Sequence, residues 1–342
     1  MSGAARQKRA GRFGSAGSEQ ARVIRATRFG KPLPDGGTIG VAAAASPYDS
    51  RSDVLRGVEW WETRGYHVKL GSGIWERDDY VAGGARQRAD DLNALFADPE
   101  VDVVQALQGG FGSAQAIPYL DFDLISENPK PLVGYSDLTA LHVALRQKAG
   151  LATIYANGLI GVGSHDVTPF SKNRLLEVLR TGGSGEVPPD PDDPWVRTIH
   201  GGRVTAPLVG GCLWLLMQTM RTPWEIELDG AILFFEDTHC PPYYVDGELV
   251  QLAHAGKLDG VAGVVVGQMD RCDWGDLRPV SDWARSRSIE DVLEERLEPL
   301  GVPVIYGLPL GHGKHLAALP LGVTCTLDAD ARTLTVDEPA LR

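Results

Sequence analysis

Three side chains in this sequence could serve as nucleophile, orienting carboxylate and base: Ser136, Glu236 and His312. Each follows a short apolar run. Ser136 lies between Pro131-Leu132-Val133-Gly134-Tyr135 and Asp137-Leu138-Thr139-Ala140-Leu141, a pattern of buried strand, sharp turn and helix. That spacing sets Ser136 at or beside a helix N-terminus, where free backbone N–H groups stabilise developing negative charge. The turn resembles a nucleophile elbow, except that Leu138 takes the fifth position of G-x-S-x-G. Ser and Asp are also the commonest helix caps, so a capping role for Ser136 or Asp137 stays open.

Glu236 follows Ala231-Ile232-Leu233-Phe234-Phe235. It either ends that strand at the surface or orients a base from the strand tip. His312 sits in Gly307-Leu308-Pro309-Leu310-Gly311-His312-Gly313, where glycines leave the imidazole room. It is either an incidental loop residue or a general base near neutral pH. His315 makes HxxH with it, but no third ligand stands at a telling spacing, which argues against zinc.

The elements that must position these residues read as alternating strands and helices. Strands are expected at 38–45, 67–70 and 101–107, with helices at 52–63 and 85–96 between them. That order implies right-handed crossovers and a mainly parallel sheet. Ligands bind such sheets outside the carboxyl ends of the strands. There lies Gln108-Gly109-Gly110-Phe111-Gly112-Ser113. Its glycines allow close approach of a ligand or N–H groups aimed at an anion. A plain tight turn is the alternative. The loop resembles part of a dinucleotide fingerprint, but one glycine is missing and it follows the third strand.

The second half repeats the alternation. Strands are expected at 203–209, 231–235, 261–266 and 302–305, helices at 212–220, 245–255 and 288–297, and a hairpin at 324–336. Residues 157–202 look less regular, and the Pro- and Asp-rich stretch 183–195 reads as a surface loop. The expected organisation is a disordered tail over 1–35, an α/β domain over 36–160, a linker and loop over 161–202, and a second α/β domain over 203–342.

Size and composition limit the function. The chain has 342 residues, 43% of them hydrophobic and 23% charged, with a formal charge of -12. That balance argues against a nucleic-acid surface or binding to anionic membranes. Four dispersed cysteines without CxxC argue against a zinc ribbon or a disulfide scaffold and for a reduced cytoplasmic setting. The Gly, Ala, Ser and Arg rich start lacks an apolar signal region, and no apolar run approaches a membrane span.

Four ordered blocks resemble the LD-carboxypeptidase family of serine peptidases. They are Gly109-Gly110-Phe111-Gly112-Ser113 with Pro118-Tyr119-Leu120-Asp121; Gly134 to His142; Leu233-Phe234-Phe235-Glu236-Asp237 with Pro242-Tyr243 and Asp246; and Gly307 to Gly313 with Leu319-Pro320-Leu321-Gly322. The likeness spans about residues 36–335. It implies a Rossmann- or flavodoxin-like N-terminal domain, a β-rich α/β C-terminal domain, a homodimer, and no cofactor or metal. It further implies Ser136 as nucleophile, His312 as base, Glu236 as its orienting carboxylate, and the Gly110 and Asp137 amides as oxyanion hole. Gly109, Phe111 and Trp195 are candidate substrate contacts. The implied substrate is a small peptide: a murein tetrapeptide losing D-Ala or, in the related microcin-immunity peptidases, an aminoacyl- or peptidyl-nucleotide conjugate. Two departures bear on that choice. Gln115 stands where members often carry Arg, and Tyr155-Ala156-Asn157-Gly158 replaces a His-Gly-Pro segment. A noncatalytic ligand binder on a Rossmann scaffold is the reading from another class.

Overall fold

The computed structural model describes residues 25–273 and 287–342. Its first sheet is built from β1 (Thr38–Ala42), β2 (His67–Leu70), β3 (Val103–Ala106), β4 (Leu132–Gly134) and β5 (Thr153–Tyr155), all parallel. Their order is β2-β1-β3-β4-β5, the flavodoxin-like arrangement. β1, β3, β4 and β5 are almost wholly buried, because helices cover both faces of a parallel sheet. The order reverses between β1 and β3, so the crevice outside their carboxyl ends is where a ligand is expected. The loop at 108–113 starts there.

The second sheet has eight strands. They are β6 (Gly185–Glu186), β7 (Arg197–His200), β8 (Arg203–Cys212), β9 (Ile232–Thr238), β10 (Gly263–Asp270), β11 (Val304–Tyr306), β13 (Thr324–Asp328) and β14 (Thr333–Val336). The order is β6-β14-β13-β8-β9-β10-β11-β7, with β8 to β11 parallel. β12 (Leu319–Leu321) leaves this half and pairs antiparallel with β5 of the first sheet. One apolar cluster runs from Ile39 and Tyr155 through to Phe234 and Val265, so the two sheets share a core.

The carboxyl ends of the two parallel sets meet. The Cys212 amide at the end of β8 donates to Thr139 Oγ1 at 2.9 Å, in the helix Thr139–Lys148 that follows β4. Across the same junction the Tyr155 hydroxyl of β5 donates to Glu236 of β9 at 2.6 Å.

Two expectations are corrected. The stretch treated as a tail is ordered from residue 25: the Arg28 amide donates to Gly150 O, Leu33 is buried, and Gly30 bridges to Leu341. Its polar start conceals a few apolar anchors; residues 1–24 lie outside the described residues. The supposed linker contains a thirteen-residue helix, Pro169–Thr181. Thr168 caps it by accepting from the Ser171 amide, Pro169 starts it, and left-handed Gly182 ends it. Among the described residues no helix is long and apolar enough to cross a membrane.

Candidate active site

Ser136 stands at the sharp turn after β4 with φ of 61°, a left-handed conformation unusual for a residue with a Cβ. Holding it costs on the order of 1–3 kcal/mol, which neighbouring contacts must offset. Two backbone bonds do so. The Ser136 amide donates to the Tyr155 hydroxyl at 3.0 Å, and its carbonyl accepts from Thr139 Oγ1 at 2.7 Å. Ser136 opens a short 3₁₀ turn, Ser136–Leu138. Amides in a first turn have no acceptor within the helix, so the turn leaves the Asp137 N–H uncommitted. The Asp137 side chain points the other way. Its carboxylate accepts from the Ser113 amide at 2.7 Å, and burial raises its pKa.

The glycine-rich loop is therefore tied to the elbow. Gly110 has φ of 102°, and a Cβ there would collide with Ser46 Oγ. Ser46 Oγ in turn accepts from the Phe111 amide at 3.0 Å and donates to Tyr80 O. Beneath the loop, Arg88 is 2% exposed and donates to Gly112 O at 2.7 Å and to Gln115 Oε1 at 2.6 Å. Gly109 packs directly on Ser136. Neither Ser46 nor Arg88 stands out in the sequence. A serine just past β1, on the crevice side of the sheet, was the available signal.

Glu236 does not end its strand at the surface. It lies inside β9, fully buried, and both oxygens are engaged. Oε1 accepts from the Tyr155 hydroxyl at 2.6 Å, and Oε2 meets His312 Nδ1 at 2.7 Å. A buried carboxylate needs such partners to offset its lost hydration. With Nδ1–H given to Glu236, the imidazole presents Nε2 as its basic nitrogen. Burial works to lower the His312 pKa, but attraction to Glu236 and the hydrogen bond to it prevail and raise it above 6.5. The Tyr135 ring, next to Ser136 in the chain, packs 5.0 Å from the imidazole centre.

Gly311 makes this pairing possible. It has φ of 119°, and a Cβ there would run into the Glu236 side chain. Gly311→Ala is expected to displace the Glu236–His312 pair and to lower kcat/KM by about 10²-fold, the usual result of a misplacement near 1 Å. Steady-state kinetics beside a thermal melt checks it; unchanged kcat/KM would refute the positioning role.

Two cavities flank the elbow. One, about 550 Å³, is lined by Ser136, Gly110, Phe111, Trp214, Asp237, Cys240, Tyr244 and Glu248 among others. The Phe111 and Trp214 rings meet edge to face, 6.2 Å apart. The other, about 380 Å³, is lined by His312, Tyr135, Asn157, Arg271 and Lys314 among others. Within the first, Asp237, Cys240 and Glu248 bring ligand atoms within 4.8 Å of one another. Burial raises the pKa of Asp237 to about 6 and of Glu248 to about 8, so near neutral pH Glu248 keeps its proton while Asp237 is mostly ionised. Trp195, a candidate substrate contact, lines neither cavity. It packs edge-on against Tyr306, 5.6 Å between centroids, because its loop returns along β11.

Two family models match this chain, the LD-carboxypeptidase N-terminal domain over residues 39–156 and the C-terminal domain over 205–327. A Bacillus subtilis protein named "Probable murein peptide carboxypeptidase" is 35% identical, covering 90% of this chain and 93% of that protein. The chain belongs to the LD-carboxypeptidase family. It is accordingly a serine-type carboxypeptidase, a hydrolase. Solved structures agree on the two-domain fold. MccF in complex with glutamyl sulfamoyl guanosine superposes with a TM-score of 0.81 at 26% identity, covering 92% of this chain and 99% of that one. Muramoyltetrapeptide carboxypeptidase from Oxalobacter formigenes gives 0.75 at 27% identity, covering 88% and 99%.

Proposed function

We propose that this LD-carboxypeptidase family member hydrolyses the L,D-amide bond before the terminal D-Ala of murein tetrapeptides, using Ser136, His312 and Glu236 as a triad. The observation that carries the reading is the buried Glu236–His312 hydrogen bond of 2.7 Å beside a serine held at φ 61°. His312 Nε2 takes the Ser136 proton as Oγ attacks the amide carbonyl. The tetrahedral oxyanion is met by the Gly110 and Asp137 amides, and loss of one such donor costs roughly 10²–10³ in rate. His312 then protonates the departing nitrogen, and water hydrolyses the acyl-enzyme by the same route. Glu236 holds the tautomer and stabilises the imidazolium. The family likeness also points to a homodimer in the cytoplasm.

Tyr155 acts as a positioning residue in this scheme. Its hydroxyl accepts from the nucleophile's own amide and donates to Glu236, so one group fixes both ends of the triad. Burial, and then the Glu236 charge, raise its pKa well above 10, which keeps it a donor. Tyr155→Phe is expected to lower kcat roughly 10- to 10²-fold, the worth of a hydrogen bond to a charged group. It leaves KM little changed. It also moves the acid limb of the kcat/KM profile upward, because Glu236 then attracts the imidazolium proton more strongly. A kcat loss with no displacement of that limb would reduce Tyr155 to a packing residue.

The aromatic wall of Phe111, Trp214 and Tyr244 beside Ser136 favours one second reading, cleavage of an aminoacyl- or peptidyl-nucleotide conjugate whose base stacks there. Stereochemistry tests the first reading. A tetrapeptide ending in D-Ala should be hydrolysed and its L-Ala epimer spared; equal turnover of both would refute L,D-specificity.

A further inference from the structure

Resting on that peptidase reading, the geometry points to Arg271 as the residue that holds the free carboxylate of the departing amino acid. In the proposed reaction His312 returns its proton to the leaving nitrogen, so the released residue lies on the His312 side of Ser136. Its carboxylate hangs two bonds beyond that nitrogen. Gly110, one of the two proposed oxyanion donors, borders the other cavity together with Phe111 and Ser136. The departing residue therefore belongs in the cavity of about 380 Å³ that His312 itself lines. That space suits one small amino acid.

Among the described residues, two cationic side chains line this cavity besides His312, Arg271 and Lys314. Lys314 is committed to Asp192. Arg271 is not committed to a carboxylate at hydrogen-bond distance. The near one is Asp270, whose Oδ2 lies 3.9 Å from Arg271 Nε and accepts from Thr238 Oγ1 at 3.1 Å instead. Arg271 Nη1 rests 3.1 Å from His239 Nε2, at the edge of the Ser136 cavity, so the guanidinium spans the ridge between the two spaces. Its side chain is 58% exposed.

The backbone aims it there. Arg271 follows β10 with φ of 52°, and His239 follows β9 with φ of 54°. The two tips are joined, the His239 amide donating to Asp270 O at 3.0 Å. Left-handed backbone at two bulky residues side by side is costly, and such strain concentrates at ligand clamps. A guanidinium presents a planar fork that matches a carboxylate with two parallel hydrogen bonds. Asp166 and Asp270 also line the cavity, so a bound carboxylate needs the Arg271 charge to offset their repulsion.

The test compares two peptides, a tetrapeptide ending in free D-Ala and the same peptide ending in D-Ala amide, with wild type, Arg271→Gln and Arg271→Lys. Wild type is expected to prefer the free acid by roughly 10²-fold in kcat/KM, the scale of a charge-assisted pair. In Arg271→Gln that ratio collapses to about 1 through a higher KM for the acid, and Arg271→Lys lies between, since a point charge replaces the fork. The lysine variant also serves if the glutamine variant fails to fold by thermal melt. A preference retained in Arg271→Gln overturns the clamp and leaves the Ser136 chemistry standing. Hydrolysis of both peptides at equal rates by wild type also overturns the clamp. Hydrolysis of neither by wild type overturns the murein-peptide reading and the clamp with it.

Discussion

Ser136→Ala is expected to abolish D-Ala release, with kcat falling by about 10⁴–10⁶, the span seen when a triad serine is lost. The same substitution should leave the fold intact. What holds the turn is backbone: the Ser136 amide bonds Tyr155, and its carbonyl accepts from Thr139. Alanine keeps both groups, and it faces the same φ of 61° that serine already bears. The checks are chromatographic D-Ala release and a thermal melt of the same preparation. A melt like wild type with turnover retained above one part in 10³ would remove Ser136 from the chemistry, since removing the nucleophile costs more than that.

His312→Ala is the second large loss, of similar size, because nucleophile and base fail together. Its pH dependence gives a sharper reading. The base must be neutral to accept the Ser136 proton, and attraction to Glu236 overcomes the effect of burial to raise its pKa above 6.5. Wild-type kcat/KM should therefore climb as pH rises through a value above 6.5, and the residual rate of His312→Ala should lack that limb. Stability runs the opposite way. A raised histidine pKa means the folded state binds the proton more tightly than the unfolded chain. The stabilisation is full below pH 6.5 and fades as pH climbs through the folded value. The gap in melting temperature between wild type and His312→Ala should accordingly be wider at pH 5.5 than at pH 9. An acid limb centred well below 6.5 would contradict the Glu236–His312 pairing.

Much of this site could be read from local pattern. Ser136 and His312 each follow a buried strand, and periodicity together with Gly134 and Gly311 marks those positions. The strand alternation before residue 155 implied a mainly parallel sheet, since parallel crossovers allow few alternatives; the order β2-β1-β3-β4-β5 rests on pairings that no local pattern shows. What stayed hidden depends on distance in the chain. Tyr155 stands in β5 beside β4, and its role needs Glu236 from 81 residues further on. Glu236 looked like a strand end because five apolar residues precede it; its burial follows from partners that no local pattern reveals. β12 crosses to the first sheet by antiparallel pairing, against the chain order that separated the two halves. The helix at 169–181 was obscured by the proline-rich stretch after it, although Thr168-Pro169 and Gly182 were its punctuation. Trp195, a candidate substrate contact, packs edge-on against Tyr306 while half of it stays exposed.

Reach also explains Arg271. Its neighbours in sequence suggest an ordinary loop, and only the joined tips of β9 and β10 bring it to the ridge beside His312.

The central claim is tested most directly by offering wild type and Ser136→Ala a murein tetrapeptide and an aminoacyl-sulfamoyl nucleoside together, and following both by mass spectrometry. The predicted result is conversion of the tetrapeptide to tripeptide and free D-Ala by wild type alone, with the nucleoside conjugate persisting. Consumption of the conjugate while the tetrapeptide survives, or equal D-Ala release by Ser136→Ala, would contradict it.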